Sequence, residues 1–264
     1  MDSHGRSNVV VSFLVILFLA GNLSQVAVAS EEKVELTLYY EALCPYCENF
    51  IVNYLYKIFE NGLISIVDLK LSPYGNAKIN SNGTIVCQHG EWECVLNTVE
   101  ACAIHAWPVV SDHFPFVYCV EKLTYEGKYA EWETCFQKLN LDAKPVTDCI
   151  TNGFGHELEL QYAAEIKVLE PPHTYVPWVT VDGQPLYDDY TEFTSFICDA
   201  YKGSNVPQVC LDLSYPITAP KNTVKPLNNI CYKEGNEKSK STLMEMLSAT
   251  AASWMHRVGM AESM

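Results

Sequence analysis

Leu36-Thr37-Leu38-Tyr39-Tyr40-Glu41-Ala42-Leu43-Cys44-Pro45-Tyr46-Cys47 is the stretch on which the fold turns. Val34, Leu36, Leu38 and Tyr40 alternate with period two, which predicts a strand. Beyond the turn, Cys47, Phe50, Ile51, Tyr54, Leu55 and Ile58 recur at three- and four-residue spacings, the pattern of one helix face. Asn61-Gly62 predicts the helix end, because glycine accepts the left-handed conformation there. Residues 63–71, rich in Ile, Val and Leu, predict a second strand, stopped by Ser72-Pro73-Tyr74-Gly75. Strand, helix, strand in this order makes a βαβ unit with a parallel sheet. Two cysteines spaced C-x-x-C sit where the first strand meets the helix.

That placement carries a chemistry. Disulfide exchange needs a thiolate, and the unpaired N–H groups of a helix N-terminus stabilise negative charge. Cys44, at or just before the first turn, is the candidate nucleophile. Pro45 suits the first helical position, where a missing N–H costs nothing. Cys47, one turn further in and less exposed, is the candidate resolving thiol. This is the thioredoxin-type arrangement. Folds of that type place a cis-proline opposite the cysteines just before a strand, and Val176-Pro177 stands at a plausible position, so Pro177 is a candidate substrate-positioning residue. The competing readings of the pair are a static disulfide or half of a zinc site.

The 264 residues are 48% hydrophobic, enough for a sizeable core, and carry a formal net charge of -15. Such a charge argues against nucleic-acid binding and against anchoring on anionic lipid. Arg6, the apolar run over residues 9–20 and the small residues Ala27 and Ala29 have the layout of a secretory signal peptide cleaved after Ala29. No later stretch is long and apolar enough to span a bilayer, so no stable membrane insertion is expected. All eleven cysteines follow the signal, as befits an oxidising compartment and a disulfide framework. Asn82-Gly83-Thr84 is a glycosylation sequon with Asn82 as acceptor; Asn22-Leu23-Ser24 should leave with the signal.

Between residues 75 and 155 the pattern changes to short helices and six cysteines, a disulfide-stapled helical insertion. Residues 91–106 are its clearest helix, with Glu91 and Glu93 in the first turn and Pro108 beyond the end. Residues 131–139 and 147–152 are weaker helical patterns. The sheet pattern then returns: a helix through Leu158, Tyr162 and Ile166, the run Tyr175-Val176-Pro177-Trp178-Val179-Thr180-Val181, a turn at Asp182-Gly183, a strand over 184–187 and a last helix through Tyr190 and Ile197. Residues 221–264 show only a weak helical pattern near 243–254.

Cys87-Gln88-His89-Gly90-Glu91-Trp92-Glu93-Cys94-Val95-Leu96-Asn97-Thr98-Val99-Glu100-Ala101-Cys102 is the most distinctive segment. It resembles the signature C-Q-H-G-x-x-E-C-x-x-N-x-x-x-x-C of the gamma-interferon-inducible lysosomal thiol reductase family, with every fixed position filled. The resemblance extends to the C-x-x-C and to Tyr175-Val176-Pro177-Trp178, roughly residues 34 to 210. It implies a thioredoxin-like fold that reduces protein disulfides in acidic compartments, with Cys44 and Cys47 catalytic and Cys87, Cys94 and Cys102 in structural disulfides. On one helix Cys94 and Cys102 would lie about 12 Å apart, beyond the roughly 7 Å reach of a disulfide. The expectation is that Cys87, Cys94, Cys102, Cys119, Cys135 and Cys149 pair among themselves and Cys198 with Cys210. Cys231 is then left over, as a free thiol or in a disulfide-linked dimer. A zinc site at Cys87, His89, Cys94 or Cys102 fits no common finger spacing, so no metal is expected. His89 reads as a loop or helix-entry contact.

The sequence thus predicts an α/β, thioredoxin-like fold with a disulfide-rich helical insertion (about 75–155) between an N-terminal βαβ unit and a C-terminal cis-Pro, strand and helix part. The expected boundaries are a signal peptide over 1–29, the thiol reductase domain over 30–215 and a polar tail over 216–264, flexible or trimmed. The expected function is reduction of protein disulfides through a mixed disulfide on Cys44, with no cofactor beyond an external small thiol reductant, in the extracellular space or the lysosomal or vacuolar lumen. The alternatives are an oxidase or isomerase on the same fold, and a non-enzymatic disulfide-rich binding module.

Overall fold

Strand β1 (Val34–Tyr40) is the centre of the sheet because its side chains are covered on both faces: Val34, Leu36, Thr37, Leu38 and Tyr40 are all buried. In the computed structural model, which describes residues 33–214 and 230–233, β1 pairs in parallel with β2 (Val67–Pro73), Val34 opposite Val67 and Tyr40 opposite Pro73. Parallel strands need a crossover. Here it is helical: α1 (Pro45–Phe50), a wider π-type turn (Ile51–Leu55) and α2 (Lys57–Glu60). Cys47, Phe50, Ile51, Leu55 and Ile58 form its buried face. Gly62, at φ 78°, turns the chain out of it. The second strand starts later than the apolar run suggested, because Leu63–Ile66 coils into one tight helical turn first.

After β2 comes a hairpin, β3 (Lys78–Ile79) and β4 (Ile85–Val86), with Asn82 exposed in its turn. Five helices follow: α3 (Glu91–Ala106), α4 (Val110–Tyr125), α5 (Thr134–Leu139), α6 (Lys144–Thr151) and α7 (Phe154–Lys167). They enclose a second core around Leu96, Val99, Phe116, Val120, Phe136 and Val146. Disulfides tie α3 to α6 (Cys102–Cys149), α4 to α5 (Cys119–Cys135) and the preceding loop to α3 (Cys87–Cys94). Helix α4 was not expected. Pro115 lies inside it and deletes one backbone hydrogen bond, yet buried Phe114, Phe116, Val117 and Val120 hold the helix to both cores.

The chain then returns to the sheet. β5 (Tyr175–Val176) leads through a cis Val176–Pro177 bond into β6 (Trp178–Val181), antiparallel to β1. Asp182 (φ 47°) and Gly183 (φ 74°) both take positive φ, as a two-residue hairpin turn requires, and deliver β7 (Gln184–Pro185). The sheet order is β2-β1-β6-β7. Helix α8 (Phe193–Ala200) packs on β6, and a short α9 (Gln208–Ser214), also not expected, is fastened to it by Cys198–Cys210. A βαβ unit, an antiparallel hairpin entered through a cis-proline and a closing helix make the fold thioredoxin-like. No helix among the described residues is long and apolar enough to cross a membrane.

One expectation is overturned. Cys231 is neither a leftover thiol nor free for a disulfide-linked dimer: it is bonded to Cys44. The short strand β8 (Cys231–Tyr232) lies antiparallel to β5, so this part of the expected loose tail is docked on the domain. The expected cleavage site and the 243–254 helix lie outside the described residues.

Candidate active site

Cys44 occupies the N-cap of α1 with extended backbone (φ -77°, ψ 115°), and Pro45 is the first helical residue. The cap position follows from the sequence: a proline starts a helix readily but cannot continue one. Both thiol positions are fully buried. Cys44 was expected to be the exposed member; residues 230–233 cover it. Its sulfur is bonded to Cys231 and lies 3.9 Å from the Val176 carbonyl oxygen, beside cis Pro177. Cys47 is the one free cysteine among the described residues. Burial pushes its thiol well above the usual range, and the carboxylate of Glu41 adds to that rise.

The turn before Cys44 is held from the helical insertion. Asn97 Oδ1 accepts the Ala42 N–H at 2.9 Å. Glu41 is buried, its carboxylate accepting the Asn76 N–H at 2.7 Å. Gly75, at φ 56°, is required here: a Cβ would come within 2.5 Å of Glu41 Oε2. At the start of α3, Glu93 accepts the N–H groups of Gln88 (2.9 Å) and His89 (3.0 Å), and its carboxylate also meets His89 Nδ1. His89 Nδ1 is 3.5 Å from Glu41 Oε1. This makes His89 the helix-entry contact that the sequence suggested and places it against the active-site turn. Deeper in, Tyr40 donates its hydroxyl to Glu100 at 2.5 Å.

The site is therefore ringed by buried carboxyls. Burial raises Glu41 to about 8, with Glu93 adding and Asn76 and His89 opposing. Glu48 rises to about 7 and Glu100 to about 8, again chiefly through burial. Glu121 is raised well above the usual carboxyl range, through burial and then the nearness of Glu100. For His89 burial opposes protonation, but Glu93 and Glu41 outweigh it and the pKa ends above its usual value.

Sequence reasoning singled out the cysteines of the Cys87–Cys102 segment and missed its polar residues. Gln88, His89 and Asn97 reach the turn before Cys44 or what covers it, and Glu93 holds Gln88 and His89 in place. Glu93, Asn97 and Glu100 share one face of α3, at i, i+4 and i+7. Three buried polar residues at helical spacing were the available signal. Glu41, His89 and Cys231 place potential ligand atoms within 4.8 Å of one another. The Cys231 sulfur is bonded to Cys44, however, so the set offers no thiolate to a metal. Cys87, Cys94 and Cys102 are equally engaged in disulfides.

Comparison with known proteins shows what the chain is similar to. Residues 35–139 match the family model described as gamma interferon inducible lysosomal thiol reductase (GILT). The chain is 44% identical over 201 residues to the gamma-interferon-responsive lysosomal thiol protein of Arabidopsis thaliana, covering 75% of this chain and 82% of that one. It is 34% identical to the gamma-interferon-inducible lysosomal thiol reductase of Mus musculus, covering 76% and 77%. Among solved structures, Chlamydia trachomatis DsbA aligns with a TM-score of 0.47 at 16% identity, covering 62% of this chain and 86% of that one. Sharing this much sequence with thiol reductases, the chain is a thiol-disulfide oxidoreductase and belongs to the gamma interferon inducible lysosomal thiol reductase family.

Proposed function

We propose that this oxidoreductase works as a protein-disulfide reductase. The observation that carries the reading is Cys44 at the cap of α1, already in a disulfide with an extended segment, with Cys47 free one helical turn away. The Cys44 thiolate attacks a substrate disulfide, forming Cys44–substrate and releasing one substrate thiolate. Cys47, deprotonated, attacks Cys44 Sγ, forming the Cys44–Cys47 disulfide and releasing the second thiolate. Two equivalents of a small external thiol then return the two electrons and leave as their own disulfide. Pro177, in cis beside Cys44, positions the substrate backbone.

Work at acidic pH is supported by the buried carboxyls. Burial raises Glu41 to about 8, so below that pH this carboxyl is mostly neutral and adds little to the burial that raises the Cys47 pKa. Action in the lysosomal, vacuolar or extracellular space is supported by the signal-peptide layout and five disulfides. The exposed Asn82 fits glycosylation on that route.

The test is reduction of insulin disulfides at pH 5 and pH 7. Wild type should be active, Cys44→Ser inactive, and Cys47→Ser should accumulate mixed disulfides with substrate. Full turnover by the Cys44→Ser protein would refute the reading.

A further inference from the structure

The contacts of residues 230–233 resemble those of a bound peptide more than those of a structural staple. Cys231 and Tyr232 add a strand to the β5 edge, Val176 opposite Cys231 and Tyr175 opposite Tyr232. The Lys233 N–H donates to the Thr174 carbonyl at 3.0 Å. Two side-chain amides reach the other backbone groups. Asn76 Nδ2 donates to the Cys231 carbonyl at 3.0 Å, and Gln88 Nε2 to the Tyr232 carbonyl at 2.8 Å. Asn76 Nδ2 also donates to Gln88 Oε1 at 2.8 Å, which locks the two amides together. The bonds made to the segment read its main chain, as suits an extended peptide. Its side chains make the disulfide, the Tyr232–Tyr175 ring contact (centroids 6.1 Å apart) and the burial of Ile230 in the main core.

We propose that residues 230–233 are a tethered pseudo-substrate that closes the active site, and that Asn76, Gln88 and the β5 edge are the cradle for extended cysteine-containing peptides bonded to Cys44. The proposal rests on Cys44 and Cys47 being the redox pair. With the segment in place Cys44 is fully buried and its sulfur occupied, so an external disulfide has no nucleophile to meet. Opening is the second half of the catalytic cycle turned on the chain itself. Cys47, having lost its proton, attacks Cys44 Sγ. The Cys44–Cys231 bond breaks, the Cys44–Cys47 bond forms, and Cys231 leaves as a thiolate. No net oxidation occurs, and the proton given up by Cys47 balances the one taken by Cys231. Glu41 and His89 lie within 4.8 Å of the Cys231 sulfur, close enough to supply it. An external dithiol then reduces Cys44–Cys47 and leaves the site open. The tether keeps Cys231 at high effective concentration, so the segment recloses whenever reductant is scarce.

The experiment uses the full chain produced through the secretory route, wild type and Cys231→Ser, denatured and alkylated without reductant, then mapped by mass spectrometry. Wild type should show a Cys44–Cys231 cross-link with alkylated Cys47. Cys231→Ser should show Cys44–Cys47 and no alkylated Cys47. With limiting thiol, wild type should start insulin reduction about tenfold more slowly than Cys231→Ser, and the two should converge after preincubation with excess dithiothreitol. Gln88→Ala, which keeps every cysteine, should shorten the wild-type lag. A wild-type map showing Cys44–Cys47 with free Cys231, or equal initial rates for wild type and Cys231→Ser, overturns the proposal. Cys44→Ser in the Cys231→Ser background separates the two ideas. If it is inactive while the rates above are equal, only the pseudo-substrate fails; if it still turns over, the redox-pair reading fails as well.

Discussion

In the helical insertion, disulfides join cysteines 7, 16 and 47 residues apart; at the active-site turn one joins cysteines 187 residues apart. The bond is the same, but its neighbourhood differs. No free thiol among the described residues stands beside the insertion bonds, so they can only hold. Cys44–Cys231 has Cys47 one helical turn away, so it can exchange. The insertion bonds keep α3 in place, and α3 in turn holds the turn before Cys44 through Asn97. A static frame thus supports a labile bond.

The comparison breaks most directly at the cysteines. Replacing Cys44 by Ser should reduce turnover to background. The double variant Cys119→Ser/Cys135→Ser, assayed below its melting temperature, should keep most of its activity per folded molecule, because that pair lies within the insertion and touches none of the site. Insulin reduction with matched amounts of folded protein checks both.

Stability should show the reverse order. Removing Cys102–Cys149 by a double Ser substitution opens a 47-residue separation between α3 and α6 and should cost about 4 kcal/mol. Chemical denaturation read by circular dichroism measures it. Mild reductant titrated into the wild type should cleave Cys44–Cys231 before any insertion bond, as seen by stepwise alkylation and mass.

Protonation sharpens the contrast on a smaller scale. Glu41 and Glu100 at about 8, and Glu48 and Glu159 at about 7, all sit above the unfolded carboxyl value of 4.5. Between those limits the folded chain holds more protons than the unfolded one. Their contribution is therefore complete below pH 4.5 and lost as pH rises through about 7–8. His89, also raised, acts in the same direction. His173, lowered to about 4, and His113, also lowered, oppose it as pH falls below their unfolded value of 6.5. The carboxyls outnumber the histidines, so thermal unfolding should occur about 5 °C or more higher at pH 5 than at pH 7.5.

The smallest effect is at Asn97. Its replacement by Ala leaves the Ala42 N–H unpaired in the interior and should cost about 1–3 kcal/mol. It should lower reductase activity while leaving the cysteine map unchanged.

Much of this was legible in the sequence where the determinants are local. The alternation at Val34–Tyr40, the Pro45 start of α1 and the Asp182-Gly183 turn each depend on residues a few positions apart. Helix α4 was hidden because Pro115 breaks a helical pattern that tertiary burial of Phe114 and Phe116 restores. The Cys44–Cys231 bond was hidden for a different reason: a pairing across 187 residues depends on where the chain returns, and nothing near Cys231 encodes that. The polar residues of the Cys87–Cys102 segment lay between the two cases. Their spacing was visible, but the turn they hold lies 55 residues upstream of Asn97.

The most direct test is to trap the Cys47→Ser/Cys231→Ser protein, in which Cys44 has no partner cysteine, with a peptide disulfide at pH 5 and locate the adduct by mass spectrometry. The Cys44 thiolate should take one half of the peptide disulfide and release the other as a thiol, so the peptide should be found on Cys44. An adduct on any other cysteine, or none despite full unfolding-resistant structure, would contradict Cys44 as the nucleophile.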